Sequence, residues 1–355
     1  MDLGHLRKKI DALDAKIIGL LNERAGITLS IGREKIKNKK SIYAPDREQE
    51  VLKHIKALNK GPISPDAVKA IYREIMSASL ALEKPLRIAH LGPVASYTHM
   101  AAEERFGSSV EYVACVNIPE VFSKVEYGDC DYGVVPIENS NEGAVTYTFD
   151  MLVDSDLKIC SHILKNITHN LMAKIPMNKI KQIYSNPQVF GQCQQWLRSN
   201  MPQAELIDAF SSAKGAQNAA KMKNAACIAS AMAARVYGLK ILKKNIQDNS
   251  THNITRFLVL SKTDVLKSTG HDRTSLVFSI KDKVGALHAM LTPFYRNKIN
   301  LTKIESRPSK KKAWDYYFFV DCEGHQKDPD VARALKQLEG MCKFLKILGS
   351  YPALD

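Results

Sequence analysis

The sequence predicts three regions of different class: an all-helical segment over 1–85, a two-lobed α/β segment over 86–262, and an α+β unit of ferredoxin-like βαββαβ order over 273–355. Three observations predict this. Leu3, Leu6, Ile10, Leu13, Ile17, Leu20 and Leu21 recur at three- and four-residue spacing, with no proline before Pro45, which is the period of a long amphipathic helix. From Leu86 onward, short apolar runs end in polar loops that lead into helical patterns, which predicts a parallel α/β sheet system with ligand loops at the carboxyl ends of its strands. Beyond a Lys/Ser/Thr/Gly linker, strand and helix patterns follow one another as Thr274 to Ile280, Val284 to Asn297, Ile299 to Glu305, Trp314 to Cys322, Asp330 to Gly340 and Cys342 to Leu348.

The chain has 355 residues, enough for two or three domains with ordinary cores. Its 51 Lys and Arg against 37 Asp and Glu give a formal charge of +14. The densest basic run, Arg33 to Lys40, lacks interleaved aromatics and matches no nucleic-acid motif. It reads as a solvated helix end, and no nucleic-acid partner is expected. The 7 cysteines are odd in number and form no Cys-x-x-Cys pair with histidine, which argues against disulfides or zinc and for a reducing compartment. The first nine residues carry charge where a signal peptide needs an apolar core, and no apolar run approaches ~18 residues. A soluble, cytoplasmic protein is expected, without a membrane partner, a metal or a cofactor.

In the first segment the stripe continues to Arg24, Ile27 or Thr28, Ile31 and Lys35. Two cations on an inward face require anions there. They stand about 16 Å apart along the helix. Arg7 lies ~25 Å from Arg24, too far for one small ligand on one straight helix. Alone it reads as a surface cation; an antiparallel second copy would bring its own Arg7 to the far end of the site. Pro45 opens a second helix through Val51, Leu52, Ile55 and Leu58, stopped by Gly61-Pro62. Ser64-Pro65 opens a third, on which Ser79 and Glu83 face the same way.

These residues resemble the all-helical chorismate mutases that form the amino-terminal part of bifunctional chorismate mutase/prephenate dehydratases. The resemblance places substrate contacts on Arg7 from the partner subunit and on Arg24, Lys35, Arg47, Glu48, Ser79 and Glu83, and implies a homodimer. Two positions depart from many enteric members: Ala44, where they have an acidic residue, and Glu83, where they have glutamine. The implied rearrangement of chorismate to prephenate needs no nucleophile or cofactor, only a grip on the folded conformer and stabilisation of charge on the ether oxygen. Arginines would fork onto the two carboxylates and Lys35 would reach the ether oxygen. Glu83 can donate a hydrogen bond there only when protonated, so mutase activity is expected to fall as Glu83 ionises.

In the second segment, Gly92-Pro93 precedes Ser96-Tyr97-Thr98-His99, and Asp131 to Ile137 ends in Glu138-Asn139-Ser140. The pattern recurs at Ile183 to Gln188, carrying Ser185 and Gln188, and at Ile207 to Ser212, carrying Ser211 and Ser212. The last strand opens with His252, Asn253, Thr255 and Arg256 before Phe257 to Leu260. Polar groups leading an apolar strand suit a ligand mouth. His99 and His169 read as core or surface histidines, and Glu138 taken alone fits a helix cap. No phosphate loop, metal cluster or Ser/His/Asp order is present.

The ordered motifs Gly92-Pro93, Ser96-Tyr97-Thr98-His99, Pro136-Ile137-Glu138-Asn139-Ser140 and Thr255-Arg256-Phe257 are similar to those of prephenate dehydratases, whose fold resembles the periplasmic binding proteins. Ala95 stands where a glycine is usual. The resemblance implies conversion of prephenate to phenylpyruvate with loss of carbon dioxide and water. Thr255 would assist the departing hydroxyl, Glu138 is a candidate proton source, and Arg256 or nearby helix amino ends would hold carboxylate. Ser96, Asn139, Ser140, Ser185, Gln188, Ser211, Ser212 and Asn253 complete the expected substrate contacts.

In the third segment, Gly285-Ala286-Leu287 and Glu305-Ser306-Arg307-Pro308 are turn chemistry for a generic ferredoxin-like unit. The segment also resembles the ACT regulatory domain that follows such dehydratases, in which these motifs bind phenylalanine between paired domains. Feedback inhibition by phenylalanine is the implied regulation. Two other readings remain open at this level: an arogenate dehydratase, and a two-lobed ligand-binding sensor whose catalysis has lapsed.

Overall fold

The computed structural model describes residues 2–38, 40–248, 253–280, 283–309 and 315–353; His252 and Trp314 lie outside them. The chain forms two compact units, one of residues 1–86 with 106–111 and one of 87–105 with 112–355.

The first unit is built from α1 (Leu3–Lys37), α2 (Pro45–Leu58) and α3 (Pro65–Glu83). Helix α1, 35 residues and about 52 Å long, packs chiefly on α3. Of its residues only Thr28 and Gly32 are buried. The apolar stripe is helical as its period predicts, yet Leu3, Ile10, Leu13, Ile17 and Leu20 are each more than half exposed within one chain. Ile27 and Ile31 also face outward, so the inward row runs Arg24, Thr28, Gly32, Lys35. Gly32 is what lets the helices meet: a Cβ there would lie 3.0 Å from Glu83 Cα. Pro45 and Pro65 occupy first-turn positions, and the Ser64 hydroxyl accepts from Ala67 N. Residues 106–111 join this unit by Ser108, whose N and Oγ donate to Glu74 at 3.0 and 2.7 Å.

The larger unit opens with β1 (Arg87–Leu91), α4 (Tyr97–Phe106), β2 (Glu111–Cys115), α5 (Ile118–Tyr127), β3 (Tyr132–Asn139), β4 (Gly143–Ala144), α6 (Thr146–Asp154) and β5 (Lys158–Asn166). The chain then crosses to a second lobe: β6 (Asn170–Ala173), β7 (Gln182–Ser185), α7 (Pro187–Gln192), α8 (Gln194–Asn200), β8 (Glu205–Asp208), α9 (Ser212–Ala219), β9 (Ala225–Ala229), α10 (Ala231–Tyr237) and β10 (Lys240–Lys243). It returns as β11 (Ile254–Ser261). The first lobe's sheet is ordered β2-β1-β3-β11-β5 and the second's β10-β6-β9-β7-β8. Both are mixed, not parallel throughout. The strands at the two crossings, β5 with β11 and β6 with β10, run against neighbours, because a chain that leaves a lobe and comes back inserts its returning strand with reversed sense.

The remainder is β12 (Asp272–Ser279), α11 (Ala286–Arg296), β13 (Leu301–Pro308), β14 (Tyr316–Glu323), α12 (Pro329–Glu339) and β15 (Phe344–Pro352), the expected βαββαβ order in an antiparallel sheet β13-β14-β12-β15. This segment shares a core with the first lobe. Val277, Phe319, Leu348 and Tyr351 pack in one cluster with Val121, Phe149, Leu258 and Leu260. A Cβ at Gly349 would lie 2.1 Å from the Ile159 carbonyl oxygen, so only glycine allows β15 to approach β5 so closely.

Candidate active sites

In the helical unit the inward row of α1 meets the carboxyl-terminal half of α3. Lys35 Nζ lies 2.7 Å from Glu83 Oε2 and 2.7 Å from the Ile42 carbonyl oxygen. Arg24 donates to the Ser79 hydroxyl, which in turn donates to the Ile75 carbonyl at 2.8 Å. Glu48, at the start of α2, is half-buried, whereas Arg47 is exposed and pairs with Glu50 at 2.8 Å. Arg7 is exposed on α1. The structure therefore brings Arg24, Lys35, Ser79 and Glu83 together and leaves Arg7 and Arg47 apart. The pairing of Lys35 with a carboxylate follows from the cost of burying a lone cation.

In the larger unit the register of β3 against β11 sets Asn139 opposite Thr255 and Glu138 opposite Arg256. Asn139 Nδ2 donates to Thr255 Oγ1 and to Asn253 Oδ1, each at 2.8 Å. Its own Oδ1 accepts from Asn141 N and Glu142 N, which fixes the amide's orientation. Asn253 Nδ2 donates to Gln192 Oε1 at 2.7 Å, and His169 Nε2 lies 2.8 Å from the same oxygen. Gln192 Nε2 reaches Glu142 at 2.8 Å. The chain of amides thus runs from the Thr255 hydroxyl on β11 to α7 of the second lobe. Burial lowers the His169 pKa, partly opposed by its bond to Gln192, so the ring is neutral and donates from Nε2.

The other expected residues serve the frame of this site. Ser140 Oγ accepts from Ile254 N at 3.0 Å, and its N donates to the Ile254 carbonyl. Ser96 is buried, donating to the Leu91 carbonyl at 3.0 Å and capping α4 through His99 N. Ser185 is fully buried and donates to the Ile228 carbonyl. Gln188 is exposed in the first turn of α7, and Ser211 caps α9 with Ser212 beside it. Ala95, between the motif glycine and Ser96, has φ +69°, a left-handed conformation that costs an alanine what a glycine escapes.

Two expected members turn away from the hydroxyl. Glu138 pairs with Arg256 Nη1 at 3.1 Å and with Lys303. Arg256 is buried against Asp321 at 2.6 Å and the Tyr351 hydroxyl at 2.7 Å. The structure brings neither the proposed proton source nor the proposed carboxylate holder to Thr255. Consecutive strand residues face opposite sides of a sheet, so Thr255 and Arg256 cannot both line one mouth. Among the described residues, no group of three or more His, Cys, Asp or Glu could hold a metal ion.

Residues 88–265 match the family model for prephenate dehydratase, 6–84 that for chorismate mutase type II, and 274–340 that for the ACT domain. The chain is 49% identical over 356 residues to a bifunctional chorismate mutase/prephenate dehydratase of Aquifex aeolicus, covering 99% of this chain and 98% of that one. This chain belongs to the bifunctional chorismate mutase/prephenate dehydratases. A second such relative, from Stutzerimonas stutzeri, is 42% identical over 98% of this chain and 96% of its own. A prephenate dehydratase of Arthrobacter aurescens, solved in complex with L-Phe, superposes with TM-score 0.70 at 32% identity, covering 76% of this chain and 90% of that one.

As a member of this bifunctional family, the chain carries chorismate mutase and prephenate dehydratase activities of phenylalanine biosynthesis. Its ACT domain places Gly285, with φ +75°, at the amino end of α11, followed by buried Ala286 and partly exposed Leu287. Glu305, Ser306, Arg307 and Pro308 end β13, an edge of the sheet. Gln192 was not among the expected dehydratase contacts. Its amide closes a helix of six residues in another lobe, and nothing in its local sequence marks it.

Proposed function

We propose that the dehydratase step takes place at the Thr255 hydroxyl and that the mutase step takes place on the α1–α3 face completed by a second chain. The observation that carries the first assignment is the Asn139 bond. Because Asn139 Nδ2 donates to Thr255 Oγ1, the threonine's own proton is left to point elsewhere, toward the hydroxyl leaving prephenate. A threonine is a poor acid in water; here it acts as a positioned donor while aromatisation supplies the driving force. Asn253 accepts from Asn139 and is itself tied to Gln192 of the second lobe, and these amides supply further donors to the substrate's carboxylates.

For the mutase, Arg24 and Arg7 of a second copy fork onto the two carboxylates of chorismate, and Lys35 with Glu83 addresses the ether oxygen. Arg47, Glu48 and Ser79 complete the contacts. The exposed apolar stripe of α1 supports a homodimer, since a patch of that extent on a soluble chain marks an interaction surface. Phenylalanine binds at Gly285 to Leu287 and Glu305 to Pro308 and lowers dehydratase turnover. The free cysteines, six of them buried, agree with a reducing cytoplasm. No helix of the described residues is long and apolar enough to cross a membrane.

Incubating the purified protein with chorismate, prephenate or arogenate and identifying the products tests the reading. Prephenate from chorismate and phenylpyruvate from prephenate are expected. Preferential formation of phenylalanine from arogenate would replace the dehydratase assignment, and no turnover of any of the three would leave a sensor.

A further inference from the structure

The β3–β11 pair has two faces. On one, Asn139 and Thr255 meet in the dehydratase cluster. On the other, Glu138 and Arg256 enter the carboxyl-terminal sheet, where Lys303 from β13, Asp321 from β14 and Tyr351 from β15 bond to them directly and Ser275 from β12 holds two of these partners. Arg256 Nη1 bridges Asp321 and Glu138, and Nη2 donates to Tyr351. Ser275 Oγ lies 2.5 Å from Asp321 Oδ1 and 2.6 Å from the Tyr351 hydroxyl, which locks the two acceptors together. Arg256, Asp321 and Tyr351 are 5%, 6% and 0% exposed.

Buried ion pairs are a poor source of stability, because desolvation offsets much of their attraction. The shared apolar core already holds the two sheets together. What the cluster adds is direction, since each partner's position is fixed by several bonds at once. Arg256 follows Thr255 and Glu138 precedes Asn139 in the chain, so a displacement of either charged side chain is delivered to the reacting hydroxyl or its amide through a single peptide unit. The carboxyl-terminal sheet is also where the proposed regulatory ligand binds.

We propose that Arg256 and Glu138 are positioning residues whose placement is set by Asp321, Tyr351, Ser275 and Lys303, and that the ACT sheet controls the Thr255 hydroxyl and Asn139 amide through them. This rests on the reading of Thr255 as the dehydratase donor and of phenylalanine as the ACT ligand.

The test compares Asp321→Asn and Tyr351→Phe with Lys346→Met in the full-length protein. Lys346 also ties the carboxyl-terminal sheet to the first lobe, donating to the Leu152 and Val153 carbonyls of α6 at 3.1 and 3.0 Å, but it shares no bond with the Arg256 cluster. Asp321→Asn is expected to lower dehydratase kcat about tenfold with KM within about twofold and mutase turnover unchanged. Phenylalanine should still bind by calorimetry while inhibiting at least ~fivefold more weakly. Tyr351→Phe, which deletes one oxygen and so carries less risk to folding, should show the same pattern at about threefold. Lys346→Met should leave kcat and inhibition as they are. Wild-type values in both cluster variants, or equal losses in Lys346→Met, overturn the proposal. Amide exchange over 135–139 and 253–258 reads positioning without turnover: faster exchange there in Asp321→Asn supports it even if prephenate proves not to be the substrate, and unchanged exchange overturns it.

Discussion

The two sites are built by opposite means. On the proposed reading, the helical site draws its cations from one rigid rod, on which Arg7 and Arg24 stand about 25 Å apart, so a single chain would hold only part of it. The strand site is assembled by register: Asn139 and Thr255, 116 residues apart in the chain, become direct partners because β3 and β11 pair there. A helix spreads its polar residues along a line, whereas a sheet gathers them from distant sequence. The proposed mutase site would therefore need a second copy, whereas the strand cluster reaches a second lobe of the same chain.

The largest effect that would break this contrast is at Thr255. Thr255→Ala should reduce dehydratase turnover on the order of 10²-fold or more while mutase turnover stays within twofold; equal loss of both activities in parallel assays would mean a folding defect. Subunit mixing addresses the helical side. Arg7→Ala and Lys35→Ala are each expected to be inactive as mutases, but refolded together they should recover about a quarter of wild-type activity, since half the dimers then hold one intact site. A site confined to one chain recovers nothing.

Acid should separate the two units. In the larger unit His90 is pushed down to about 4 by burial and by the neighbouring His99. The folded ring stays neutral while the unfolded one takes a proton, so stability is retained above pH 6.5 and lost as pH falls toward 4, by about 3 kcal/mol at the lower end. His90→Leu should flatten that part of the melting-temperature profile, and an unchanged profile would exclude His90 as its source.

Gly32→Ala sharpens the helical description. Its methyl group would meet the α3 backbone at Glu83, and overpacking of this kind costs about 1–3 kcal/mol. Mutase activity and the melting of the helical unit should both drop, with dehydratase kinetics unchanged. The smallest change is at Ala95, where relief of the left-handed backbone in Ala95→Gly should raise stability by about 1 kcal/mol in denaturant titration.

The helices and their stops were readable because each rests on local properties: period, proline position and capping serine. The βαββαβ order was readable for the same reason. The mixed sense of the lobe sheets was not, since strand direction follows from where the chain crosses and returns. Within the site, Thr255 and Asn139 stood out as polar groups at strand ends. The diversion of Arg256 left a signal that could have been used: period-two alternation already forbids it the face of Thr255.

By itself, the sequence determined the elements, the chemistry available on each and the family to which the motifs belong, because these depend on residue type and spacing along one chain. Only the tertiary structure decided that Arg256 and Glu138 serve the regulatory sheet, that Gln192 joins the dehydratase cluster and that the α1 stripe lies open. Those outcomes depend on which surfaces meet. A buried charge takes whatever partner the packing brings within about 3 Å, and no local pattern encodes that partner's position.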